Sequence, residues 1–256
     1  MNMIKQLKKI VRGNERLFEI YRKLRFIKDI PLKDFFNFKK LALVIKVYPY
    51  TMTSYQRLSN VYELAELVEK NKIEGAFVEC GVWKGGCAAV MAFIAEKAGS
   101  GRRTWLFDSF EGLPEPTIED GAIALDYAGD KSGGNLKTIN KCVGPLVDVK
   151  KIFFEILKIN PQNIVIKKGW FQDTLPLTKA RIGKISILRL DGDWYESTKC
   201  CLANLYDNVI IGGYIILDDW GHWEGARRAI DEFFALKKIS PDLIKIDDTG
   251  IYFKKP

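Results

Sequence analysis

Short apolar segments that alternate with helical patterns are what most constrain the fold of this 256-residue chain. Five segments fit strands, at 76–80, 104–107, 163–167, 185–190 and 210–217. Helical patterns cover 59–70, 85–97, 150–158, 195–206 and 225–237. This alternation predicts an open parallel α/β sheet with helices on both faces. Right-handed crossovers bring the carboxyl ends of its strands to one edge, where ligands bind.

The C-terminal end of the chain has a different pattern. Two short strands, at 243–246 and 251–253, flank the turn Asp248-Thr249-Gly250, which predicts a hairpin. A hairpin adds an antiparallel strand to the parallel sheet. The sequence therefore favours a methyltransferase-type sheet over a plain dinucleotide-binding fold.

The N-terminal segment carries the excess positive charge of the chain. Residues 1–46 contain 13 Lys or Arg and 4 Asp or Glu, a net +9, whereas the other 210 residues contain 27 and 28, a net −1. Residues 1–30 have an amphipathic helical pattern broken at Gly13-Asn14, which predicts two helices. We expect a basic helical segment at 1–46 and a catalytic domain at 47–256. No nucleic-acid partner is expected, because the folded domain is not basic.

Several roles fit this basic segment. Residues 1–30 could make a weak contact with an anionic membrane surface, and the segment could also form a lid or a homo-oligomer contact. The simpler alternative is a helix that packs on the domain and leaves a solvated basic face. Five scattered cysteines without a CxxC pair, and the lack of a membrane-spanning apolar run, predict a reduced cytoplasmic protein, with a peripheral place at the inner membrane face if the membrane contact exists.

Acidic residues lie at or just beyond the carboxyl ends of four predicted strands: Glu79, Asp108, Asp191, Asp218 and Asp219. Each taken alone could be a helix cap or a solvated turn. The loop from Glu79 to Gly86 has glycines but lacks the G-x-G-x-x-G spacing, so a pyrophosphate ligand is poorly supported. An acidic residue before the glycines suits a cationic ligand such as S-adenosylmethionine, and Asp108 is placed to bind ribose hydroxyls. A nicotinamide-dependent oxidoreductase stays an alternative.

Three of these carboxylates, Asp191, Asp218 and Asp219, follow two strands that we expect to be neighbours. Like charges this close need a cation, and Mg²⁺ prefers oxygen ligands. The pattern therefore predicts a magnesium site. The alternative is that Asp193 or Asp219 caps the helix that follows.

Motifs along residues 47–235 resemble the macrocin O-methyltransferase family. They are Tyr48–Thr53, Phe77–Gly86, Leu106–Pro114, Lys168–Pro176, Leu190–Thr198, and Asp218-Asp219 with Trp223–Gly225. The resemblance implies a Rossmann-like class I methyltransferase fold with a mostly parallel seven-stranded sheet. It also implies a metal-dependent transfer of a methyl group from S-adenosylmethionine to a sugar hydroxyl in a glycoside or glycan.

The resemblance also implies roles for individual residues. Asp191 would be the general base, and Asp191, Asp218 and Asp219 would hold Mg²⁺. The following residues would hold S-adenosylmethionine: Thr51, Thr53, Ser54, Glu79, Cys80, Gly81, Val82, Trp83, Gly85, Gly86, Asp108, Ser109, Phe110, Gly112, Trp170, Phe171, Gln172 and Asp173. We expect acceptor contacts from His222, Trp194 and Tyr50, with His222 as an alternative base or a plain surface histidine. Two further alternatives stay open, a phenol or catechol O-methyltransferase and a non-catalytic cofactor-binding or scaffold protein.

Overall fold

The computed structural model describes residues 15–129 and 131–256. Ten α-helices occur in these residues: α1 (Glu15–Lys28), α2 (Leu32–Phe35), α3 (Phe38–Val47), α4 (Tyr55–Lys70), α5 (Gly86–Ala98), α6 (Gly121–Tyr127), α7 (Leu146–Lys150), α8 (Phe171–Ile182), α9 (Tyr195–Leu205) and α10 (Glu224–Lys237). The seven strands are β1 (Ala76–Cys80), β2 (Thr104–Asp108), β3 (Ile164–Lys168), β4 (Ile185–Leu190), β5 (Val209–Leu217), β6 (Ile244–Lys245) and β7 (Ile251–Lys254). Helix α7 continues as a π-helical turn, Lys151–Ile156.

All seven strands form one sheet in the order β3-β2-β1-β4-β5-β7-β6. The first five are parallel, and β7 lies antiparallel between β5 and β6. This confirms the predicted α/β class with a mostly parallel seven-stranded sheet and an antiparallel C-terminal strand. The chain runs outward from β1 to β3 on one side and from β4 to β5 on the other, so the strand order reverses between β1 and β4.

Alternate residues of the buried strands face opposite layers of helices, as the two-residue period of a strand requires. Phe77, Leu106 and Ile187 belong to the core under α4 and α5. Val78, Phe107 and Leu188 belong to the core that includes α9 and α10 residues. Because both faces are covered, these strands read as continuous apolar segments, which is why the sequence located them well.

The segment before residue 47 packs on the first of these layers. Phe26, Leu43, Val44 and Val47 are buried in the same cluster as residues of α4 and α5. The predicted boundary at residue 46 stays a prediction. Of the two predicted N-terminal helices, the second is α1, and the first lies outside the described residues. No helix among the described residues is long and apolar enough to cross a membrane.

Several elements differ from the sequence-based expectation. Helix α8 is not predicted, and within the segment at 1–46, predicted to be helical, the sequence does not give the bounds of α2 and α3. Helix α4 begins four residues earlier than predicted, and the expected helix at 150–158 lies at 146–156. The segment 111–135, for which the sequence predicts neither a helix nor a strand, contains α6. Helix α8 contains Pro176, a residue that usually interrupts a helix, and this explains why its pattern was missed.

We predict that Gly75→Ala destabilises the fold far more than Gly101→Ala. Both glycines have a positive φ, +113° and +63°. A Cβ at Gly75 would lie 2.8 Å from backbone atoms of Ile185 and Ser186, where β1 pairs with β4, whereas a Cβ at Gly101 meets nothing within 4 Å. Urea unfolding should show a loss of about 1 kcal/mol for Gly101→Ala and about 3 kcal/mol or more for Gly75→Ala. Equal losses would mean that the backbone conformation alone matters.

Candidate active site at the reversal of strand order

Two chain segments meet where the strand order reverses. The loop after β1 passes so close to the end of β4 that a Cβ at Gly81 would overlap the carbonyl oxygen of Asp191. The amide of Asp191 also donates to the carbonyl of Cys80 at 2.9 Å. The reversal is where open α/β sheets bind ligands. Glycine at 81 thus lets the predicted cofactor loop contact the predicted base.

The carboxylate of Asp108, at the end of β2, organises the same loop. Its Oδ2 accepts hydrogen bonds from the amides of Val82 at 2.7 Å and Trp83 at 2.9 Å, and its Oδ1 accepts one from Phe110 at 2.6 Å. Burial raises the pKa of Asp108, and these three amides oppose the rise. Two carboxylate oxygens can accept about four hydrogen bonds, so one acceptor position is left for a ligand hydroxyl.

The segment at 50–54 lies against the start of α5. A Cβ at Gly86 would lie 2.7 Å from the Cβ of Thr51 and from the carbonyl of Tyr50. The hydroxyls of Thr51 and Thr53 are 3.0 Å apart. Ser54 caps α4 by accepting from the amide of Arg57, and its hydroxyl donates to Asp247 at 2.8 Å. The structure thus places this segment beside Gly86, and its contact with a cofactor stays a prediction.

Three carboxylates come together just beyond β4 and β5. Oxygen atoms of Asp191, Asp193 and Asp219 all lie within 4.8 Å of one another. Asp193 takes a left-handed backbone conformation, with φ at +58°. Its amide donates to Asp219 at 3.0 Å, and its carboxylate accepts from the indole of Trp223 at 2.9 Å. These contacts hold the three side chains in one group.

Burial and mutual repulsion perturb the acidity of this group. Burial, and then the charge of Asp218, raise the pKa of Asp191 to about 6. Burial, and then the charge of Asp191, raise the pKa of Asp193 to about 8, and the pKa of Asp219 is also raised. Carboxyl groups that repel one another this strongly favour a bound proton or a cation.

The fully buried Arg189 of β4 pairs with three carboxylates at this edge of the sheet. Its Nη1 donates to Glu79 at 2.6 Å and to Asp191 at 3.0 Å, and its Nη2 donates to Asp218. Arg57 of α4 also pairs with Asp218, and it reaches Asp247 at 2.9 Å. With Asp247, six carboxylates belong to this group, the others being Glu79, Asp191, Asp193, Asp218 and Asp219, and if all are ionised they exceed the two guanidinium groups by four negative charges. Such an excess suits a divalent cation.

The structure differs from the expected ligand set at one position. Both oxygens of Asp218 accept hydrogen bonds from arginines, one from Arg57 and one from Arg189, and Asp193 takes its place in the carboxylate cluster. The alternative role as helix caps is not observed. Neither α9 nor α10 has a side-chain hydrogen bond from its N-cap residue, which is Trp194 or Trp223.

The three residues that we expect to contact the acceptor have different surroundings. Trp194 is buried, and its indole donates to the carbonyl of Pro114 at 2.9 Å, so its contact with an acceptor stays a prediction. His222 is exposed, with its ring 4.5 Å from that of Trp223. Desolvation by neighbouring groups and the charge of Arg57 lower the pKa of His222. Tyr50 is half-buried beside Gly86.

The other predicted cofactor residues follow β1, β2 and β3. Trp170 to Asp173 form the start of α8, directly after β3. Ser109 is buried and donates to the carbonyl of Gly112 at 3.0 Å. Cys80 belongs to the core, so only its backbone could serve a ligand.

Sequence reasoning missed Arg57, Arg189 and Trp223 as parts of the site, and named Asp193 only as a helix cap. The signal for Arg189 was present, since it is the single charged residue in the buried strand Ile185–Leu190. Arg57 had no such signal, because its partners Asp218 and Asp247 are 161 and 190 residues away.

The sheet topology and a site at the reversal of strand order define a class I methyltransferase. The family model described as macrocin-O-methyltransferase (TylF) matches residues 40–255. The chain belongs to this family and is an S-adenosylmethionine-dependent O-methyltransferase.

Relatives and solved structures agree with this assignment. Demethyldecarbamoylnovobiocin O-methyltransferase of Streptomyces niveus is 37% identical over 80% of this chain and 76% of its own length. Mycinamicin III 3''-O-methyltransferase of Micromonospora griseorubida is 29% identical over 80% of this chain and 78% of its own. The structure of the O-methyltransferase NovP is 34% identical, with a TM-score of 0.69, over 80% of this chain and 82% of that chain. The calicheamicin methyltransferase CalS11 shares the fold, with 19% identity and a TM-score of 0.65, over 94% of this chain and 93% of that chain.

We predict that the metal-free protein loses stability as the pH rises from about 5 to 8. In this range the carboxyl of Asp193 binds a proton in the folded state, where its pKa is about 8, but not in the unfolded chain, where it is about 4. The folded state therefore holds more protons, and the free energy of unfolding falls with rising pH.

The test is Asp193→Asn in EDTA, which should raise the free energy of unfolding at pH 8 by about 1–3 kcal/mol and change it little at pH 5. Asparagine keeps an acceptor for the Trp223 indole and tolerates a positive φ. Exposed Asp242→Asn is the matched control and should have no such pH-dependent effect. A metal-free protein that is equally stable at both pH values would contradict the prediction.

Proposed function

We propose that the protein transfers a methyl group from S-adenosylmethionine to a hydroxyl of a sugar in a glycoside or glycan, with the help of Mg²⁺. The observation that carries the proposal is the cluster of Asp191, Asp193 and Asp219 beside the loop after β1. A carboxylate group of this kind can hold a divalent cation and accept a proton from an acceptor at the same place.

The names of relatives support a sugar as the acceptor. One relative is named for the 4'-O-methylation of a dimethoxy-rhamnosyl tetracenomycin and another for the 3''-O-methylation of mycinamicin III. The first is 34% identical to this chain over 80% of it. The sugar hydroxyl and its carrier are different in each case, so we propose the substrate class and not a particular substrate.

The residues present fit S-adenosylmethionine, which supplies the methyl group when bound. Asp108 retains one acceptor position toward a ribose hydroxyl, and buried Glu79 lies beside the same loop. Thr51 and Thr53 lie across the start of α5, where they can cover the ligand. Trp170 at the start of α8 supplies an aromatic side chain for the adenine at the neighbouring strand end.

The residues also fit Mg²⁺, because carboxylate oxygens are the ligands this ion prefers and their mutual repulsion is relieved by it. We propose Asp191, Asp193 and Asp219 as ligands, with Asp193 in the place expected of Asp218. The ion, when bound, lowers the pKa of an acceptor hydroxyl. Asp218 instead accepts hydrogen bonds from Arg57 and Arg189, and so fixes the positions of both arginines.

Asp191 is the general base of the proposed reaction. It is half-exposed at the site, and its pKa of about 6 leaves it mostly ionised at pH 7. The Nη1 of Arg189 holds one of its oxygens at 3.0 Å, which leaves the other oxygen free to take the hydroxyl proton. A fixed base and a fixed acceptor reduce the entropy cost of reaching the reactive geometry.

A homo-oligomeric state and a cytoplasmic location remain predictions from the sequence.

We predict that Asp191→Asn lowers kcat on a glycoside acceptor by about 10²-fold or more, because the amide cannot accept the proton. Binding of S-adenosylhomocysteine, measured by calorimetry, should change by less than about threefold, because the loop contacts of Asp191 come from its backbone. Asp231→Asn, an exposed aspartate of α10, is the matched control. An Asp191→Asn enzyme with normal turnover would remove the base assignment.

We predict that Asp193→Asn weakens Mn²⁺ binding by about tenfold or more. Asp218→Asn should weaken it less, because both carboxylate oxygens of Asp218 already accept hydrogen bonds from arginines. Manganese is a spectroscopic substitute for magnesium, and free Mn²⁺ can be counted by electron paramagnetic resonance. The reverse order, with Asp218→Asn the weaker binder, would return Asp218 to the ligand set in place of Asp193.

A further inference from the structure

We propose that the N-terminal segment binds an anionic membrane surface through an apolar turn made of Leu32, Phe35, Phe36 and Phe38. This turn comprises residues of α2, the residue after it and the first residue of α3, outside the stretch at 1–30 that the sequence indicated. The proposal is independent of the acceptor identity and of the metal site.

The apolar turn exposes large side chains to an unusual degree. Leu32, Phe36 and Phe38 are 83%, 81% and 75% exposed, and Phe35 is 42% exposed. Helix α1 adds exposed Ile20, Leu24 and Ile27, which recur every three or four residues. Scattered apolar side chains are normal on a protein surface, but several on consecutive elements of one short segment indicate an interaction site.

The surroundings of the apolar turn are cationic. The exposed charged side chains described from residue 20 to residue 46 are Lys23, Lys28, Lys33, Lys39 and Lys46. The two acidic residues in this range, Asp29 and Asp34, are half-buried and buried. Residues 47–256 carry a net charge of −1, so the positive charge is confined to the segment that bears the turn. Apolar side chains flanked by lysines are typical of an anionic lipid surface.

The same charges argue against a second copy of this chain as the occupant. A two-fold interface places the same surface patch of both copies together. It would therefore bring the lysines of one copy toward those of the other. An anionic bilayer satisfies the apolar and the cationic side chains together.

A buried polar cluster prevents the apolar turn from folding back. The ammonium of Lys40, itself 2% exposed, donates to Asp34 at 2.9 Å and to Glu63 of α4 at 2.8 Å. The hydroxyl of Tyr55 donates to Asp34 at 2.8 Å. Asn37 caps α3 by accepting from the amide of Lys40 at 3.1 Å. The backbone on both sides of Phe36 is thus fixed to α4, and the aromatic side chains stay outside.

The apolar turn is also connected to the catalytic site. Helix α3 begins in the turn and has ten residues, so it is about 15 Å long. The segment at 48–54, which lies against the start of α5, follows directly. Membrane binding at the turn would therefore hold the site close to the bilayer surface.

The experiment is co-sedimentation of the full chain with vesicles at low salt. One set of vesicles contains phosphatidylcholine with 30% phosphatidylglycerol, and the other contains phosphatidylcholine alone. The variants are Phe36→Ser with Phe38→Ser, and Lys33→Glu with Lys39→Glu. The control is Leu177→Ser with Leu236→Ser, which removes two side chains of similar exposure (81% and 78%) from α8 and α10. Binding of S-adenosylhomocysteine confirms that each variant is folded.

We expect the wild type and the control to bind anionic vesicles and to leave neutral ones unbound. The serine variant should partition about tenfold less, and the glutamate variant about tenfold less with a weaker dependence on salt. Wild-type protein that does not co-sediment with anionic vesicles would overturn the proposal, as would a serine variant that binds them as well as the wild type does. Sedimentation velocity measures the oligomeric state of the wild type and of the serine variant. A dimer that the serine variant converts to monomer, without vesicle binding, would assign the apolar turn to a second copy.

Discussion

One buried guanidinium holds the site together. Arg189 lies inside the sheet and pairs with Glu79 at the end of β1, Asp191 after β4 and Asp218 after β5. A charge is costly to bury unless it is paired and hydrogen-bonded, so the three strand ends can only be packed together if all three carboxylates are present. The arginine in turn opposes the repulsion among these carboxylates. The cofactor loop and the carboxylate cluster are therefore parts of one electrostatic unit.

Geometry adds a second constraint at the same place. Gly81 allows the loop after β1 to contact the backbone of Asp191, and Asp108 fixes that loop through the amides of Val82 and Trp83. On the other side, Arg57 joins α4 to Asp218 and to Asp247 of the C-terminal hairpin. The two constraints fix the loop after β1 and the carboxylates after β4 and β5 relative to one another. A proposed transfer between two bound molecules needs such fixed groups, since the reacting atoms must be held in a reactive geometry.

The sequence predicted the central strands closely and the site less completely. Buried strands such as Val209–Leu217 have no charged residue and are followed directly by Asp or Glu, so both their position and the functional edge could be read. Helix α8 was missed because Pro176 interrupts its pattern, and the bounds of α3 because its apolar residues follow an irregular aromatic turn. Which aspartates lie together could not be read from the sequence, because it depends on the left-handed backbone of Asp193 and on Arg57, whose partners are distant in sequence.

The position of a divalent cation at the edge of the sheet decides whether these carboxylates form a metal site. Crystals of the full chain grown with S-adenosylhomocysteine and Mn²⁺ can be measured at the manganese absorption edge. We expect one anomalous peak among the carboxylates of Asp191, Asp193 and Asp219, with Arg189 still paired to Glu79 and Asp218. Anomalous density elsewhere, or none at a saturating Mn²⁺ concentration, would contradict the claim that this carboxylate cluster is the metal centre of the enzyme.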